Sequence, residues 1–290
     1  MSKDKSYHSW ALILLILVAV FWGGGYTATQ IAIDNGWSIF SILLFKNIIA
    51  TVLASIIAFK TKFWKNKKLL KSGLIAGALF FAGYAFQLTG QIYTTISNTA
   101  FITTSGLVFV PIINWIIFKK RQPWTVVIAF LLEIGAAMVL SFRGSIGFHI
   151  GDLLVMIGAI IYSLHIIYID RKCLEFPPIA FAAVQFFAMA VLSGVGVLVT
   201  SSPFVGESSG FLGILYLALL SGLFCLVSQI WCQKHLSPNE VSIIISQEGL
   251  FASIIAVVLY GEELTISLII GAVIMTIAIF VLQIRPKKRN

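Results

Sequence analysis

The sequence predicts an all-α integral membrane protein with ten transmembrane helices, arranged as two inverted five-helix repeats with both termini in the cytoplasm. Three observations predict this fold: the apolar composition, the recurrence of long apolar windows and the distribution of basic residues. Of the 290 residues, 59% are hydrophobic and 11% are charged, whereas a soluble domain has about 45–50% apolar and about 25% charged residues. We therefore expect a multi-pass protein of the cell membrane.

Apolar windows of about 20 residues, enough to cross a hydrocarbon core about 30 Å thick, recur along the chain. Backbone polar groups in lipid must be paired within the segment, so each window predicts a helix, and the short alternating strands of a barrel are not seen. The windows are 10–33, 38–59, 73–91, 98–118, 123–141, 150–169, 178–200, 211–231, 238–259 and 266–284.

Basic residues predict the orientation of these helices. With the N-terminus in the cytoplasm, eighteen of the 20 Lys and Arg residues fall at cytoplasmic ends, including six Lys in 60–71 and the basic tail at 285–289, and Arg143 is left for the outer loops. Cytoplasmic loops carry such an excess. The net charge of +9 is thus a topology signal, and we expect no nucleic-acid partner.

The chain also contains a weak internal repeat. A shift of about 142 residues places Gln87 on Gln229 and Gln91 on Gln233, at the same point of a five-helix unit. Because five is odd, the second unit must enter the membrane in the opposite sense. Inverted repeats that meet at the bilayer midplane are typical of secondary transporters.

Several motifs resemble a known family. The first window carries "FWGGGYTATQ", the second "LLFKNIIA", the fourth "GLVFVPIINWIIFKK" and the ninth "SQEGLFASIIAVVLYGEELT". Together they resemble the EamA-type transporters of the drug/metabolite transporter superfamily, although Lys46 stands in place of the usual Arg and Gly249 in place of the usual Pro. The resemblance implies one EamA repeat over 10–141, a second over 150–284, and a carrier of small metabolites, mostly an exporter.

Glu248 and its neighbour Gln247 lie near the middle of the ninth window. A charge at the bilayer centre costs about 2.5–3.5 kcal/mol, and such groups are functional by default. Glu248 could couple proton movement to transport or pair with a substrate amine. The alternative is a protonated Glu that joins two helices by a hydrogen bond.

Lys46 and Glu133 are the other two charged residues deep within windows, and they lie at equal depth. They could form an ion pair. Alternatively, Lys46 could extend to the outer interface or contact a substrate carboxylate, while Glu133 has a structural role.

The motif "WGGGY" places Trp22 and Tyr26 around Gly23, Gly24 and Gly25 in the first window. The aromatic rings could stack on a substrate, with the glycines as a flexible point; the alternative is close helix packing. Pro111 in the fourth window predicts a kink and a hinge.

Neutral polar residues form a belt within the windows, and in hydrocarbon such groups favour the interior of the bundle. We expect several of them to bind substrate: Gln87, Asn98, Thr103, Ser105, Tyr162, Gln185 and Gln229. His165, by contrast, is predicted to be an interfacial residue near the cytoplasmic end of its helix.

These features predict a secondary active transporter of small organic metabolites that works by alternating access. We expect an exporter of amino acids or related compounds that is coupled to protons, with an importer as an alternative. A membrane-embedded enzyme would need a catalytic motif such as HExxH or GxSxG, and a channel would need a selectivity ring; neither is found. No Walker A motif or metal-ligand spacing occurs, so no cofactor is expected. The sequence assigns neither the solute nor an oligomeric state.

Overall fold

The protein is built from α-helices throughout the described part of the chain. The computed structural model describes residues 2–107, 109–119, 123–141, 150–201 and 205–283. The helices are α1 (Ser2–Asp34), α2 (Ile39–Ala58), α3 (Lys67–Gln91), α4 (Ile96–Gly106), α5 (Phe109–Phe118), α6 (Trp124–Ser141), α7 (Ile150–Lys172), α8 (Pro178–Thr200), α9 (Ser208–Ala218), α10 (Cys225–Cys232), α11 (Pro238–Ile245), α12 (Glu248–Ile255) and α13 (Ile266–Gln283).

Segments that can cross a membrane recur along the described chain, and some of them consist of two successive helices. Within the described residues, eight helical segments are long and apolar enough to span a bilayer, and the apolar segments Trp124–Ala136 in α6 and Ile266–Ala278 in α13 are shorter. This confirms a multi-pass, all-helical membrane protein. The number of ten spans and the cytoplasmic position of both termini stay predictions, and the basic residues at 120–121, 143 and 285–289 lie outside the described residues.

The predicted windows fall on helices, but three of them are not continuous α-helices. Window 98–118 is divided between α4 and α5, and window 211–231 passes through a π-helical segment, Leu219–Phe224, between α9 and α10. Window 238–259 is divided between α11 and α12 and ends in a second π-helical segment, Ala256–Tyr260. Hydropathy could not show these interruptions, because it measures how apolar a segment is and not the pairing of its backbone.

The break between α4 and α5 lies one turn before Pro111. A proline has no N–H, so Pro111 cannot donate to the carbonyl of Leu107. That carbonyl instead accepts from the N–H of Val110 at 3.0 Å, and the Leu107 N–H donates to the Thr104 carbonyl at 3.0 Å. These tighter, three-residue hydrogen bonds keep the backbone paired where the α-helix stops.

The break between α11 and α12 lies at Ser246 and Gln247. The Gln247 N–H donates to the Ile244 carbonyl at 3.2 Å, one residue nearer than in an α-helix. The Ile243 carbonyl accepts from the hydroxyl of Ser246 at 2.7 Å instead. Gly249 follows this break, and a Cβ there would lie 2.9 Å from Oγ1 of Thr104. Glycine therefore lets the second break approach the end of α4.

The helices pack in corresponding pairs. α1 packs against α12 and α9, and α7, in the corresponding place of the second half, packs against α4 and α3. α2 packs against α8, and α6 against α13, so each of these two contacts joins corresponding helices of the two halves. Such pairing is what a pseudo-twofold axis between the halves would produce.

Two glutamines that match at a shift of 142 residues have the same structural role. Nε2 of Gln91 donates to the carbonyl of Tyr26 at 3.0 Å, and Nε2 of Gln233 donates to the carbonyl of Ile166 at 2.9 Å. Each bond joins the third helix of a half to the first helix of that half. The extents of the two repeats stay predictions.

Close packing of α3 against α8 gives a first testable prediction. A Cβ at Gly77 would lie 2.5 Å from the carbonyl oxygen of Gln185 and 2.7 Å from Cβ of Ala188, whereas a Cβ at Gly135 has open space. We expect Gly77→Ala to destabilise the folded protein by about 1–3 kcal/mol through overpacking. Gly135→Ala is the matched control and should leave the thermal midpoint of the detergent-solubilised protein nearly unchanged. Equal midpoints for the two variants would contradict the close packing of α3 and α8.

Candidate functional site

A cavity lies at the centre of the bundle, between α1, α3, α4 and α7 on one side and the segments from α9 to α12 on the other. Its empty space, including the open mouth, is about 560 Å³. The sequence-predicted site residues in its wall are Trp22, Gly25, Tyr26, Gln87, Thr103, Tyr162, Gln229 and Glu248.

Glu248 supplies the carboxyl group of this cavity. It occupies the first position of α12, directly after the break at Ser246 and Gln247, and only 5% of the residue is exposed. The hydroxyl of Tyr26 on α1 donates to its Oε1 at 2.9 Å. Because Glu248 is the first residue of α12, its carboxyl group lies near the positive end of the helix dipole, which favours a negative charge. The break thus directs the Glu248 carboxyl into the cavity and away from the acyl chains.

Aromatic rings cover much of the wall. Phe80 stacks on His165 with the ring centroids 4.4 Å apart, and Tyr84 contacts Tyr162 edge to face at 5.7 Å. All four residues line the cavity. Such rings present flat apolar faces that attract cations.

Three polar atoms in the wall are buried without a partner. Within the described residues, the hydroxyl oxygens of Thr103 and Tyr162 and Oε1 of Gln229 have no hydrogen-bond partner. Buried polar groups are normally paired, with protein or with water. These atoms are therefore available to a bound solute: Tyr162 can donate or accept, and the Gln229 oxygen can accept.

His165 corrects one expectation from the sequence. It was predicted to be an interfacial residue, but it is only 1% exposed and lines the cavity. Its Nε2 lies 2.8 Å from Oε1 of Gln185, so Gln185 supports His165 from behind the wall. The prediction is wrong because the position in the chain gives the depth of a residue but not the side of the helix on which it lies.

Three further predicted site residues also lie outside the wall. The Ser105 hydroxyl donates to the backbone carbonyl of Glu133 at 3.3 Å, and the Asn98 N–H donates to Thr95 in the first turn of α4. Gln247 lies at the break before α12, and its buried Nε2 has no partner within the described residues.

Lys46 lies behind the cavity wall. It is 3% exposed, and its Nζ lies 3.3 Å from the centroid of the Tyr84 ring. Tyr84 lines the cavity, whereas Lys46 does not. Lys46 and Glu133 form no ion pair in the part of the chain that the structure describes, since Glu133 lines a different cavity beside α6. The first of the alternatives for Lys46 is therefore wrong.

Trp22 joins α1 to the π-helical segment Leu219–Phe224. Its Nε1 donates to the Ser221 carbonyl at 2.7 Å, which pairs a carbonyl in a region where the α-helical pattern is shifted. The neighbouring glycines allow this approach: a Cβ at Gly25 would lie 2.9 Å from the Ser221 hydroxyl, and one at Gly23 2.8 Å from the Ala252 nitrogen. A Cβ at Gly24 would collide with the hydroxyl of Tyr216. α1 continues unbroken through all three glycines, which favours close packing over a flexible point.

The sequence alone did not single out three polar residues of the wall: Thr29, Tyr84 and Ser221. Helical spacing could have found two of them. Thr29 lies three residues after Tyr26, and Tyr84 lies three residues before Gln87, so each shares a helix face with a predicted site residue. Ser221 lies in the π-helical segment, where α-helical spacing does not apply.

The contact between Lys46 and Tyr84 gives a second prediction. Tyr84→Phe keeps the aromatic face and should change stability little, whereas Tyr84→Leu removes that face and should destabilise the protein further. A cation–π contact at a desolvated site contributes about 2 kcal/mol. In the Lys46→Met background, the difference in unfolding free energy between Tyr84→Phe and Tyr84→Leu should be smaller by that amount. A double-mutant cycle of thermal stability measures this change. An unchanged difference would show that the ammonium group gains nothing from the ring.

Comparisons with known proteins agree with these features. The model of the EamA-like transporter family matches the chain twice, over residues 9–142 and 149–284. A protein of Archaeoglobus fulgidus, described as an uncharacterized transporter, is 30% identical over 275 residues, which cover 93% of this chain and 85% of that protein.

More distant relatives carry the same description. A second Archaeoglobus fulgidus protein is 23% identical over 92% of this chain and 95% of its own length. A Clostridium kluyveri protein is 21% identical over 96% of this chain and 94% of its own length. A crystal structure with 15% sequence identity superposes with a TM-score of 0.77 and covers 95% of this chain and 96% of that one, which shows a shared fold. The chain belongs to the EamA-like transporter family.

Proposed function

We propose that this membrane transporter carries an amino acid or a related amine out of the cell in exchange for protons. The observation that carries the proposal is the Glu248 carboxyl group, bonded to Tyr26 and aimed into a cavity walled by aromatic rings. The direction of transport follows the family resemblance, and proton coupling follows from the buried carboxyl group of Glu248. The solute class follows the chemistry of the wall.

The wall favours a positive group on the solute. Within the described residues, Glu248 is the acidic group of the cavity, and no Lys or Arg lines it. A buried carboxylate without a charged partner is costly, and a bound ammonium group would supply that partner. The face of Tyr162 would add cation–π attraction.

The opposite wall favours a carboxylate on the same solute. The ammonium group of Lys46 lies behind the Tyr84 ring, so positive charge lies on the side of α2 and α3, while Glu248 lies on α12. The free hydroxyl of Tyr162 can donate to a carboxylate oxygen. A zwitterion spanning the cavity would match both charges, which is why we favour an amino acid over a simple amine.

The same carboxyl group supports proton coupling. Glu248 can hold a proton or face a bound ammonium group, and the two occupants exclude each other. A proton bound from one side of the membrane would release the solute there, and loss of that proton on the other side would prepare the site again. The Tyr26 hydroxyl steadies the carboxylate between these states. Rocking of the two predicted repeats would expose the cavity to each side in turn.

Binding gives a third prediction, which uses matched solutes. An apolar amino acid, the amine that lacks its carboxyl group and the acid that lacks its amino group are compared by thermal shift, since a ligand stabilises the folded state in proportion to RT ln(1 + [L]/Kd). We expect the amino acid to stabilise most and the acid least. Glu248→Gln should weaken amino-acid binding about 10- to 100-fold, because a hydrogen bond to a charged group contributes about 1.5–3 kcal/mol.

Glu263→Gln is the matched control for this measurement. It removes a carboxyl group from an exposed position after α12 and should leave binding unchanged. Equal stabilisation by the acid and the amine, or unchanged binding by Glu248→Gln, would rule out Glu248 as the site of the ammonium group.

Proton exchange gives a fourth prediction. Adding the amino acid to the protein in weakly buffered detergent should release protons from the wild type and none from Glu248→Gln. Apparent affinity should rise with pH over the range in which the carboxyl group loses its proton, because proton and solute compete for it. In liposomes, the wild type should show saturable counterflow of chemically unchanged solute. Proton release that persists in Glu248→Gln would place the coupling group elsewhere.

A further inference from the structure

A second polar cavity lies on the far side of the two helix breaks, between α4, α5, α6 and α11. Its empty space, including the open mouth, is about 360 Å³. Its polar wall residues are Glu133 on α6, Thr104 on α4, Ser242 on α11 and Ser246 at the second break. The substrate site proposed above uses none of these side chains.

Glu133 is the unexplained group of this cavity. It is 3% exposed, and its Oε2 has no hydrogen-bond partner in the described part of the chain. No Lys, Arg or His occurs among the described residues that line the cavity. An unpaired buried carboxylate is costly, so the cavity is suited to an external cation.

The hydroxyl groups of Thr104 and Ser246 line the same cavity as Glu133, and their protons are already used. The Thr104 hydroxyl donates to the carbonyl of Phe101 at 3.0 Å, and the Ser246 hydroxyl donates to the carbonyl of Ile243 at 2.7 Å. Each hydroxyl has a single proton, so neither can also donate to Glu133. Their oxygens remain available as ligands, and they stand beside a carboxylate that needs positive charge.

We propose that Glu133, Thr104 and Ser246 bind a sodium ion in this cavity. The ligands are all oxygens, which suits a hard cation. A single carboxylate balances one positive charge, whereas a divalent ion would leave a net charge in a poorly solvated interior. Interrupted helices line the sodium sites of many secondary transporters, and here Ser246 lies at a helix break and Thr104 lies in the last turn before one.

The ion would act on the wall between the two cavities. Thr103 lines the central cavity and Thr104 the second one; likewise Ile245 lines the central cavity and Ser246 the second. A sodium ion that joins α4, α6 and the second break would therefore fix the segment that carries Glu248. A bound sodium ion would stabilise one conformation of the two interrupted segments, whether or not a solute is bound.

The experiment measures the thermal midpoint of the purified full-length protein as NaCl replaces choline chloride or KCl at constant ionic strength. We expect the midpoint to rise saturably with Na⁺ and to stay flat with choline and K⁺. Glu133→Gln should abolish the sodium response. Glu248→Gln is the matched control, since it changes the central cavity and should keep the response.

Two milder variants keep the test decisive if Glu133→Gln does not fold. Thr104→Val and Ser246→Ala remove one oxygen each and should raise the half-saturating Na⁺ concentration about tenfold, the effect of losing one favourable contact of about 1.4 kcal/mol. Binding of radioactive Na⁺ to the same proteins should follow the same order.

Three results would overturn the proposal. Equal stabilisation by choline would show an ionic-strength effect, and a response to pH without one to Na⁺ would show that Glu133 holds only a proton. A sodium response that survives in Glu133→Gln, or in both milder variants, would place the ion elsewhere. The readout needs no transported solute, so failure here and failure of the proposed amino-acid transport are separate outcomes.

Discussion

The structure depends on one constraint: a backbone N–H or C=O group within a membrane must be paired, because no water is available to replace a missing partner. A transmembrane helix can therefore stop only where the protein itself supplies new partners. At the second break the Ser246 hydroxyl takes the Ile243 carbonyl, and in the π-helical segment the Trp22 indole takes the Ser221 carbonyl. Side chains that pair the interrupted backbone therefore lie beside the side chains that line the cavity.

The two breaks also explain why the polar groups form two sites rather than one belt. α4 ends and α12 begins where Gly249 lets the backbones approach each other, and this contact forms a wall through the centre of the bundle. On one side Glu248 faces aromatic rings. On the other side Glu133 faces hydroxyl oxygens. The same kind of carboxyl group therefore meets two different environments, one suited to an organic cation and one to a bare ion.

Much of this arrangement could be predicted from the sequence, because depth in a membrane is a one-dimensional property. Apolar windows gave the positions of helices, and the acidic residue within window 238–259 pointed to Glu248. The sides of the helices could not be predicted in the same way. A helix that is apolar all round has no distinct polar face, which is why His165 was assigned to the interface and Lys46 to a possible pair with Glu133. Both positions depend on ring contacts made across helices, with Phe80 and Tyr84 respectively.

Lys46 shows how such a contact sets the field inside the cavity. Its ammonium group is held against one face of Tyr84, and Tyr84 also lines the cavity, so positive potential would reach a bound solute through an aromatic ring rather than through a direct contact. Such a charge can orient a carboxylate without binding it directly. Glu248 itself lines the cavity, so its carboxyl group can bind either a proton or a cationic group that enters. A positive charge behind the ring and a carboxyl group in the wall are the two features on which the proposed zwitterionic solute depends.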